Sequence, residues 1–298
     1  MSTETYKFGW RNLLSMVKWN IRLGIRGLTI FKLNFIMTLI NIFSFLAIYF
    51  FMRVMIGSYI PPLLRAFNND WFAYVFLGIM LSAMFGIAMY GPSGSVSSNF
   101  WSGRFEFMLM PPGKMTTLVT LNSMWSFTFN LTITAVYLAA GFLFFGLTLA
   151  PGANYMLAIG ILILSLVAIY GLGLISASMF TMLRARAGTE PTAWYVGTFV
   201  SILSGVFFPA MILPTWLQVF GLPLPQIYAQ DAIRRALLGG TQVTQSTFFV
   251  HDSLPFSPIV DDIIMLIILT IILLPLGLYL FRKSLGIAKK TGALSRWV

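Results

Sequence analysis

The side chains that most often carry out chemistry are scarce in this chain of 298 residues. There is no cysteine, which excludes disulfides and thiolate metal sites. The single histidine, His251, argues against a histidine metal centre or a histidine-based triad. Asp261 and Asp262 form an acidic pair at the predicted start of a helix, where carboxylates commonly complement the helix dipole. The sequence therefore predicts neither a catalytic site nor a metal site.

A nucleotide-binding loop is also missing. The nearest match to the pattern G-x-x-x-x-G-K-[ST], residues 286–292 (GIAKKTG), lacks the second glycine and a preceding strand. A glycine pair, Gly171 and Gly173, lies in the middle of an apolar segment and indicates close helix packing. The chain is therefore expected to hold no cofactor of its own.

The composition places the chain in a lipid bilayer. Hydrophobic residues make up 58% of it and charged residues only 9%, with a mean hydropathy of +0.86. A soluble domain has about 25% charged residues. No charged residue lies between Asp70 and Arg104, or between Lys114 and Arg184. Each of these runs exceeds the roughly 20 apolar residues that a transmembrane helix needs.

Charge-free windows interrupted by Pro, Gly and Asn predict an all-α membrane protein with six transmembrane helices. The turn cluster 151–154 (PGAN) divides the longest run into two spans, and Gly91 with Pro92 closes the second span. Pro209 and Pro214 are expected to break the fifth helix at its outer end. The predicted spans are 33–52, 71–90, 116–149, 155–183, 192–213 and 263–281.

Basic residues set the predicted orientation. An even number of spans puts both termini on one side, and fifteen of the nineteen Lys and Arg residues fall on that side. The positive-inside rule makes this side cytoplasmic, so the prediction is a multi-pass protein of the cell membrane with both termini in the cytoplasm. Bases spread along helix flanks fit membrane lipid headgroups. A nucleic acid is not an expected partner, because it would need a compact basic patch with stacking aromatics.

The central parts of the six predicted spans contain no Asp, Glu, Lys, Arg or His. Ion-coupled carriers keep such residues inside the membrane, because a proton or sodium site needs them. A proton-driven mechanism is therefore disfavoured, as is ATP hydrolysis in this chain. If the protein moves a solute, we expect the energy to come from another chain.

Residues 7–27 are predicted to form an amphipathic helix in the membrane interface. On a helical wheel the bases Lys7, Arg11, Lys18 and Arg22 share one side, and apolar residues share the other. Attraction to anionic lipids favours this position. The helix serves either as a simple anchor or as a means of coupling motion to the first span. No cleavable signal peptide is expected, because bases interrupt this region.

Two further segments lie outside the predicted spans. Residues 97–114 are apolar and end in a Pro-Pro-Gly stop, which favours a cytoplasmic coupling helix that docks on a partner over one that packs on the chain itself. Residues 214–260 are predicted to be an extracytoplasmic re-entrant segment, because the apolar stretch 216–225 is too short to cross and is broken by proline. A short interfacial helix is expected to begin at Asp231 and end near Gly239.

The order of these features resembles the membrane subunit of ATP-binding-cassette type-2 exporters, over essentially the whole chain. The amphipathic helix before six spans is one shared feature, and residues 103–111 (GRFEFMLMP) are similar to the family's coupling helix and the proline after it. The most specific feature is the fifth-span motif, 203–217 (LSGVFFPAMILPTWL), followed by 224–225 (LP) and 231–239 (DAIRRALLG). The chain departs from the pattern at Gln226, which precedes Ile and Tyr where many members have a Thr-Tyr pair.

The resemblance implies a dimer of six-span subunits, formed with a second copy or a related permease, with the substrate pathway at their interface. It also implies a separate cytoplasmic ATPase that holds ATP and Mg, and transport outward. It names no substrate. The residues that would contact the ATPase are Arg104, Glu106 and Phe107. The residues assigned to the outer half of the pathway are Gly205, Phe207, Phe208 and Pro209.

Two functions of other classes stay open on the sequence. A structural or assembly membrane protein would use residues 97–114 to dock a cytoplasmic partner that is not an ATPase. A membrane enzyme would need an activity that His251→Ala or Asp261→Asn abolishes.

Overall fold

The computed structural model describes residues 32–57, 67, 70–102, 115–183, 191–239 and 256–291, with five single residues between 15 and 26. Regular secondary structure in these ranges is entirely helical, which confirms the all-α prediction. The elements are α1 (Lys32–Ile56), α2 (Trp71–Trp101), α3 (Met115–Phe144), α4 (Tyr155–Leu183), α5 (Pro191–Leu203), a 3-10 turn (Ala210–Ile212), α6 (Thr215–Val219), α7 (Pro225–Leu238) and α8 (Pro258–Thr291).

Four of the described helices are long and apolar enough to cross a membrane. Their qualifying segments are Ile36–Met55 in α1, Trp71–Asn99 in α2, Tyr155–Met179 in α4 and Pro258–Ala288 in α8. Helix α3 adds a shorter apolar segment, Phe129–Phe144. The described part of the chain therefore has the helices of a membrane protein, with four candidate spans where the sequence predicts six.

Helix α2 is the central helix of the fold. It packs against α1, α3, α4 and α7, and every side chain from Phe72 to Leu77 is buried. The predicted end of this span at Tyr90 is wrong, because the helix continues through Pro92 to Trp101. A proline inside a membrane helix is tolerated where neighbouring groups support the backbone that it disturbs.

Helix α4 supplies that support through close packing. An ideal Cβ on Gly173 would lie 2.7 Å from the carbonyl oxygen of Ala88 and 3.1 Å from Pro92 Cγ, so α4 rests directly on the proline turn of α2. On another side of α4, a Cβ on Gly171 would lie 2.7 Å from the backbone of Leu273 in α8. The prediction that Gly171 and Gly173 are helix-packing residues is confirmed.

Helix α3 ends earlier than predicted. It stops at Phe144, and not at residue 149, because Gly146 adopts a left-handed φ of +63° that ends the helical path. The turn at 151–154 follows as predicted, and the Asn154 side chain accepts a hydrogen bond from the Leu157 N–H, which caps α4.

The first and last predicted spans are extended at their ends. Helix α1 runs to Ile56 and so contains Arg53, whose side chain lies 3.5 Å from the carboxylate of Asp70. Helix α8 begins at Pro258 and runs to Thr291, beyond the predicted range 263–281. Charged side chains are accommodated at such helix ends because their long apolar stems let the charge reach a polar environment.

The fifth span differs most from its prediction. Helix α5 has 13 residues and ends at Leu203, ten residues before the predicted end at residue 213. Pro209 has no N–H to bond the carbonyl of Gly205, four residues earlier, and its ring opposes a helix there. Gly205 itself has a φ of +67°. Pro209 therefore disturbs the helical turn that precedes it, and α5 ends before that turn, at Leu203.

Helix α7 lies within the helical packing. The helix predicted to begin at Asp231 in fact begins at Pro225, and it ends as predicted at Leu238, where Gly239 has a left-handed φ of +84°. It contacts α2, α4 and α8. The turn between α3 and α4 also binds its end, because the Asn154 N–H donates to the Ala236 carbonyl at 2.8 Å.

Two predicted segments fall largely outside the described residues. These are the amphipathic helix 7–27, of which five separate residues are described, and the coupling segment 97–114, which is described as far as Ser102. Arg104, Glu106 and Phe107 lie outside the described residues. The helical register of α2 up to Trp101 is the nearest structure to them in sequence.

Candidate functional site

Two buried arginines on α7 form the most unusual feature of the described structure. Arg234 is 1% exposed and Arg235 is 0% exposed. Arginine is almost never fully buried unless it is paired, because taking a charge out of water costs several kcal/mol. The contacts of these two side chains therefore identify the interactions that hold this region together.

Arg234 binds the irregular segment that follows α5. One terminal nitrogen donates to the carbonyl oxygen of Gly205 at 2.7 Å, and the other donates to that of Val206 at 3.0 Å. The carbonyl of Gly205 is the group that Pro209 leaves without a helical donor. Arg234 therefore supplies from α7 the hydrogen bonds that the interrupted helix cannot supply for itself.

Tyr74 of α2 completes this arrangement. Its hydroxyl donates to the same Gly205 carbonyl at 2.8 Å, and its ring lies under the Arg234 guanidinium, 3.8 Å from the ring centroid to Cζ. A cation over an aromatic face gains further stabilisation when both are shielded from water. Gly78, one turn along α2, is in direct contact with the guanidinium and leaves no space for a Cβ. We call Tyr74, Gly78, Gly205, Val206 and Arg234 the arginine clamp.

Arg235 has acidic partners. Its Nε donates to Asp231 on the same helix at 2.7 Å, and its guanidinium lies 5.5 Å from the Phe67 ring. Asp262 of α8 adds a favourable charge. Asp261 is in the first turn of α8, as the dipole argument predicts, but both it and Asp262 are buried. The pair therefore contributes to the protein interior and not only to a helix end.

The pKa shifts of these groups follow from their surroundings. Burial lowers the pKa of Arg234, and attraction to Tyr74 and Asp231 opposes this effect. Burial also acts to lower the pKa of Arg235, but the charge and hydrogen bond of Asp231 outweigh it and leave the pKa above its usual value. Burial, followed by the charge of Asp262, raises the pKa of Tyr228. Because guanidinium groups stay protonated in proteins, both arginines act as fixed cations.

The four predicted pathway residues separate onto two sides of the break. Gly205 and Pro209 line the small space beside Arg234, Asp231 and Asp262. Phe207 faces elsewhere: it is 39% exposed and stacks on Tyr49 of α1. Phe208 is half-buried and lines neither space. Sequence reasoning placed all four in one pathway, whereas the structure brings only Phe207 to a sizeable cavity.

That cavity has a volume of about 280 Å³. It lies between α2 and α5, and Val206 and Phe207 of the break form part of its wall. Its surface is mostly apolar, and none of its described lining residues is charged. Ser82, Tyr90 and Gln226 bring polar side chains to it. We call this space the apolar cavity.

A second, more polar space continues from the apolar cavity along α2. It has a volume of about 580 Å³ and shares Ser82, Gly86 and Tyr90 with the apolar cavity. Small and polar residues of α2 line it as far as Ser98, and Asn130 of α3 faces it. The distance along the helix from Ser82 to Ser98 is about 24 Å at 1.5 Å per residue. One face of α2 therefore borders both spaces, which together we call the groove.

The sequence did not predict that the arginine clamp and Gln226 lie together beside the break after α5. It assigned Arg234 and Arg235 to an outer interfacial helix, and the only signal for them was the Asp-x-x-Arg motif that carries the family resemblance. For the cavity wall the signals were the assignment of Phe207 to the pathway and the departure from the resemblance at Gln226. Residues 28 and 29 positions apart meet at the clamp, and local patterns do not report such contacts.

Comparison of the chain with protein-family models and with curated proteins gives no match. The resemblance to ATP-binding-cassette type-2 permeases therefore depends on its sequence motifs, and what it implies is carried forward as a proposal.

Proposed function

We propose that this protein is the permease subunit of an ATP-driven exporter of the ATP-binding-cassette type-2 kind. In this proposal, two six-span subunits enclose a pathway and alternate their access to the two sides of the cell membrane. A separate cytoplasmic ATPase binds ATP and Mg and supplies the energy. Both termini lie in the cytoplasm, and substrate moves outward.

The observation that carries the proposal is the interruption of the fifth span. Helix α5 covers about 20 Å, which is less than the roughly 30 Å of a hydrocarbon core. Irregular backbone at membrane depth is tolerated only where protein buries it or where it lines a cavity. In this segment Gly205, Val206 and Pro209 are buried, and Val206 and Phe207 line the apolar cavity. Interrupted helices beside a cavity are a recurring feature of transporters, whereas a simple membrane anchor has no need of one.

The position of α2 supports a route for coupling. This helix borders the groove from Ser82 to Ser98 and then continues without interruption to Trp101, within the predicted coupling segment 97–114. A rigid helix that joins a cytoplasmic docking segment to a cavity would transmit a movement of the ATPase to the substrate. Under this proposal, Arg104, Glu106 and Phe107 contact the ATPase.

The topology in this proposal uses the four candidate spans together with α3 and α5. The apolar segment Phe129–Phe144 belongs to a helix of 30 residues, long enough to cross when taken whole. Helix α5 with the segment after it forms the fifth crossing. The predicted excess of bases on one side then orients all six.

Co-purification with the ATPase encoded in a neighbouring reading frame tests the proposal. We expect a stable complex, and we expect Glu106→Ala to lower substrate-stimulated ATP hydrolysis at least tenfold. Glu190→Ala is the matched control, since Glu190 lies in another predicted cytoplasmic loop and is expected to keep full activity.

If no complex forms, or if Glu106→Ala behaves as the control does, the coupling assignment fails. ATP hydrolysis that does not respond to this subunit would instead favour the structural or assembly protein, with a different cytoplasmic partner.

A further inference from the structure

The wall of the apolar cavity contains a buried amide with unused hydrogen-bonding capacity. Gln226 lies at the start of α7, is 1% exposed and lines the cavity. Its side-chain oxygen has no hydrogen-bond partner among the residues that the structure describes. A buried acceptor without a partner destabilises a protein, and native structures contain few of them. Because Gln226 also lines the cavity, its oxygen is available to a partner that enters from outside the chain.

A second amide on the same face of α7 strengthens this reading. Gln230 is one turn further along, and its Nε2 donates to the Ser82 hydroxyl at 2.9 Å. Ser82 lines the cavity as well. Because its oxygen accepts from Gln230, its hydroxyl hydrogen is available to donate. The cavity therefore offers an acceptor at Gln226 and a donor at Ser82.

The rest of the lining determines what kind of molecule can enter. Apart from the Tyr90 hydroxyl, the surrounding side chains, including Phe85 and Val200, are apolar. An ion placed among them would lose its hydration without a counter-charge. The volume of about 280 Å³ is close to the lower end of small-molecule sites, roughly 300–1,000 Å³. These properties fit an uncharged, mostly apolar molecule with few polar groups.

We propose that Gln226 is a specificity-determining residue that selects neutral, mainly apolar substrates carrying a hydroxyl group. The hydroxyl hydrogen donates to Gln226 Oε1, and the hydroxyl oxygen accepts from Ser82. The proposal requires a rotation about the terminal torsion of Gln226, which is a soft one, so that Oε1 faces the cavity. This inference deepens the proposed function and rests on it for the statement that the bound molecule is transported.

The test compares two probes of similar shape. 2-Naphthol carries the hydroxyl, and 2-methoxynaphthalene has the same rings without a donor. Equilibrium binding of each to the full chain in phosphatidylcholine nanodiscs, corrected for binding to empty nanodiscs, gives their affinity ratio. We expect the wild-type chain to favour 2-naphthol about fivefold, the value of a net hydrogen bond. In Gln226→Leu we expect a ratio near one, with ether binding unchanged.

Gln218→Leu is the matched control. Gln218 is a buried glutamine on α6 that binds the Leu213 carbonyl and does not line the cavity, so the probe preference is expected to survive. If Gln226→Leu retains the preference, or if the wild-type chain has none, the inference is overturned. If the leucine variant fails to fold, Gln226→Asn takes its place. Its shortened amide is expected to reduce the preference, and an unchanged preference overturns the inference.

An independent measurement uses the absence of cysteine from the chain. A cysteine introduced as Val200→Cys in the cavity wall should react with a maleimide more slowly when 2-naphthol is present. Thr215→Cys, at an exposed position outside the cavity, should react at the same rate with and without the probe. Equal rates at Val200→Cys under both conditions would place the probe elsewhere and overturn the inference.

The binding assay needs no ATPase, so its outcome is separable from that of the proposed function. If the probe preference depends on Gln226 but the chain recruits no ATPase, the proposed binding site is supported and the proposed exporter function is contradicted. If the chain forms a complex with the ATPase but the probe preference does not depend on Gln226, the exporter function is supported and the proposed binding site is contradicted.

Discussion

The two sides of the irregular segment that follows α5, residues 204–209, have opposite characters. On one side, the arginine clamp places a buried cation against two backbone carbonyls and an aromatic ring and leaves a space of only about 10 Å³. On the other side, the apolar cavity leaves about 280 Å³ unfilled beside uncharged side chains. Val206 belongs to both, because its carbonyl binds Arg234 while the residue also lines the cavity.

The difference shows how a membrane protein can keep a cavity without losing its fold. A helix that stops inside the apolar region frees backbone groups, and these cost several kcal/mol each if they are left without partners. Here the clamp supplies the donors on one side, so the opposite side does not have to be packed. Stability should therefore depend on the clamp side, and ligand binding on the cavity side.

The largest expected effect is on the clamp side. Replacing Arg234 by methionine removes two hydrogen bonds to buried carbonyls and leaves Asp231 with one fewer cation nearby. We expect Arg234→Met to lower the free energy of unfolding by about 3 kcal/mol or more, as measured by denaturant titration in micelles.

Arg53→Met provides the control for this prediction. Arg53 forms an ion pair at 3.5 Å with a side chain that is 42% exposed, and such pairs contribute about 1 kcal/mol or less. Equal losses in the two variants would mean that the clamp does not carry the stability of the broken span.

A smaller effect is expected from a methyl group placed between α2 and α7. In Gly78→Ala the new Cβ meets the Arg234 guanidinium and the Val206 carbonyl, so one of them must move. We expect a loss of about 1–3 kcal/mol in the same unfolding measurement.

Gly86→Ala is the matched substitution on the cavity side. Its Cβ would have only one neighbour, a Tyr90 ring carbon at 4.0 Å, so we expect little change in stability and a reduced cavity volume. If Gly86→Ala destabilises as much as Gly78→Ala, the distinction between a filled side and an open side is wrong.

The smallest effect concerns a single hydroxyl. Tyr74→Phe removes the bond to the Gly205 carbonyl, but that carbonyl keeps its bond from Arg234. We expect a loss of about 0.5–1.5 kcal/mol, with the ring contact to Arg234 retained. Thermal unfolding of Tyr74→Phe beside Tyr195→Phe, whose hydroxyl binds Phe220 at an exposed site, measures the contribution of burial. A larger loss of stability in Tyr195→Phe would contradict the expectation that the buried hydroxyl contributes more.

Much of the fold could be predicted from local sequence. Charge-free windows locate the apolar helices because each window is long enough by itself to satisfy its backbone in a bilayer. The packing roles of Gly171 and Gly173 and the end of α7 at Gly239 were also predicted locally. A glycine without a side chain lets a neighbouring helix approach or lets its own helix end, and both effects can be inferred from the residue itself. The predicted helix end at Tyr90 was wrong because the turn of α2 around Pro92 is supported by α4, which the local sequence does not show.

The candidate site was much less accessible to such reasoning. Pro209 correctly signalled a break in the predicted fifth span, but the position of that break, after Leu203, goes with two contacts to Arg234, from the carbonyls of Gly205 and Val206. Asp261 and Asp262 were predicted from the helix dipole alone, and their burial near Arg235 depends on how α7 and α8 pack.

The sequence by itself therefore determined that this is an all-helical membrane protein, where its apolar segments lie and which glycines let helices approach. These properties depend on composition and on residues within a few turns of one another. Only the tertiary structure decided where the fifth helix ends, that α7 is buried, and which side of the break is filled and which is hollow. Those outcomes depend on one charged side chain reaching carbonyls almost thirty residues away, a contact that forms only when the helices have packed.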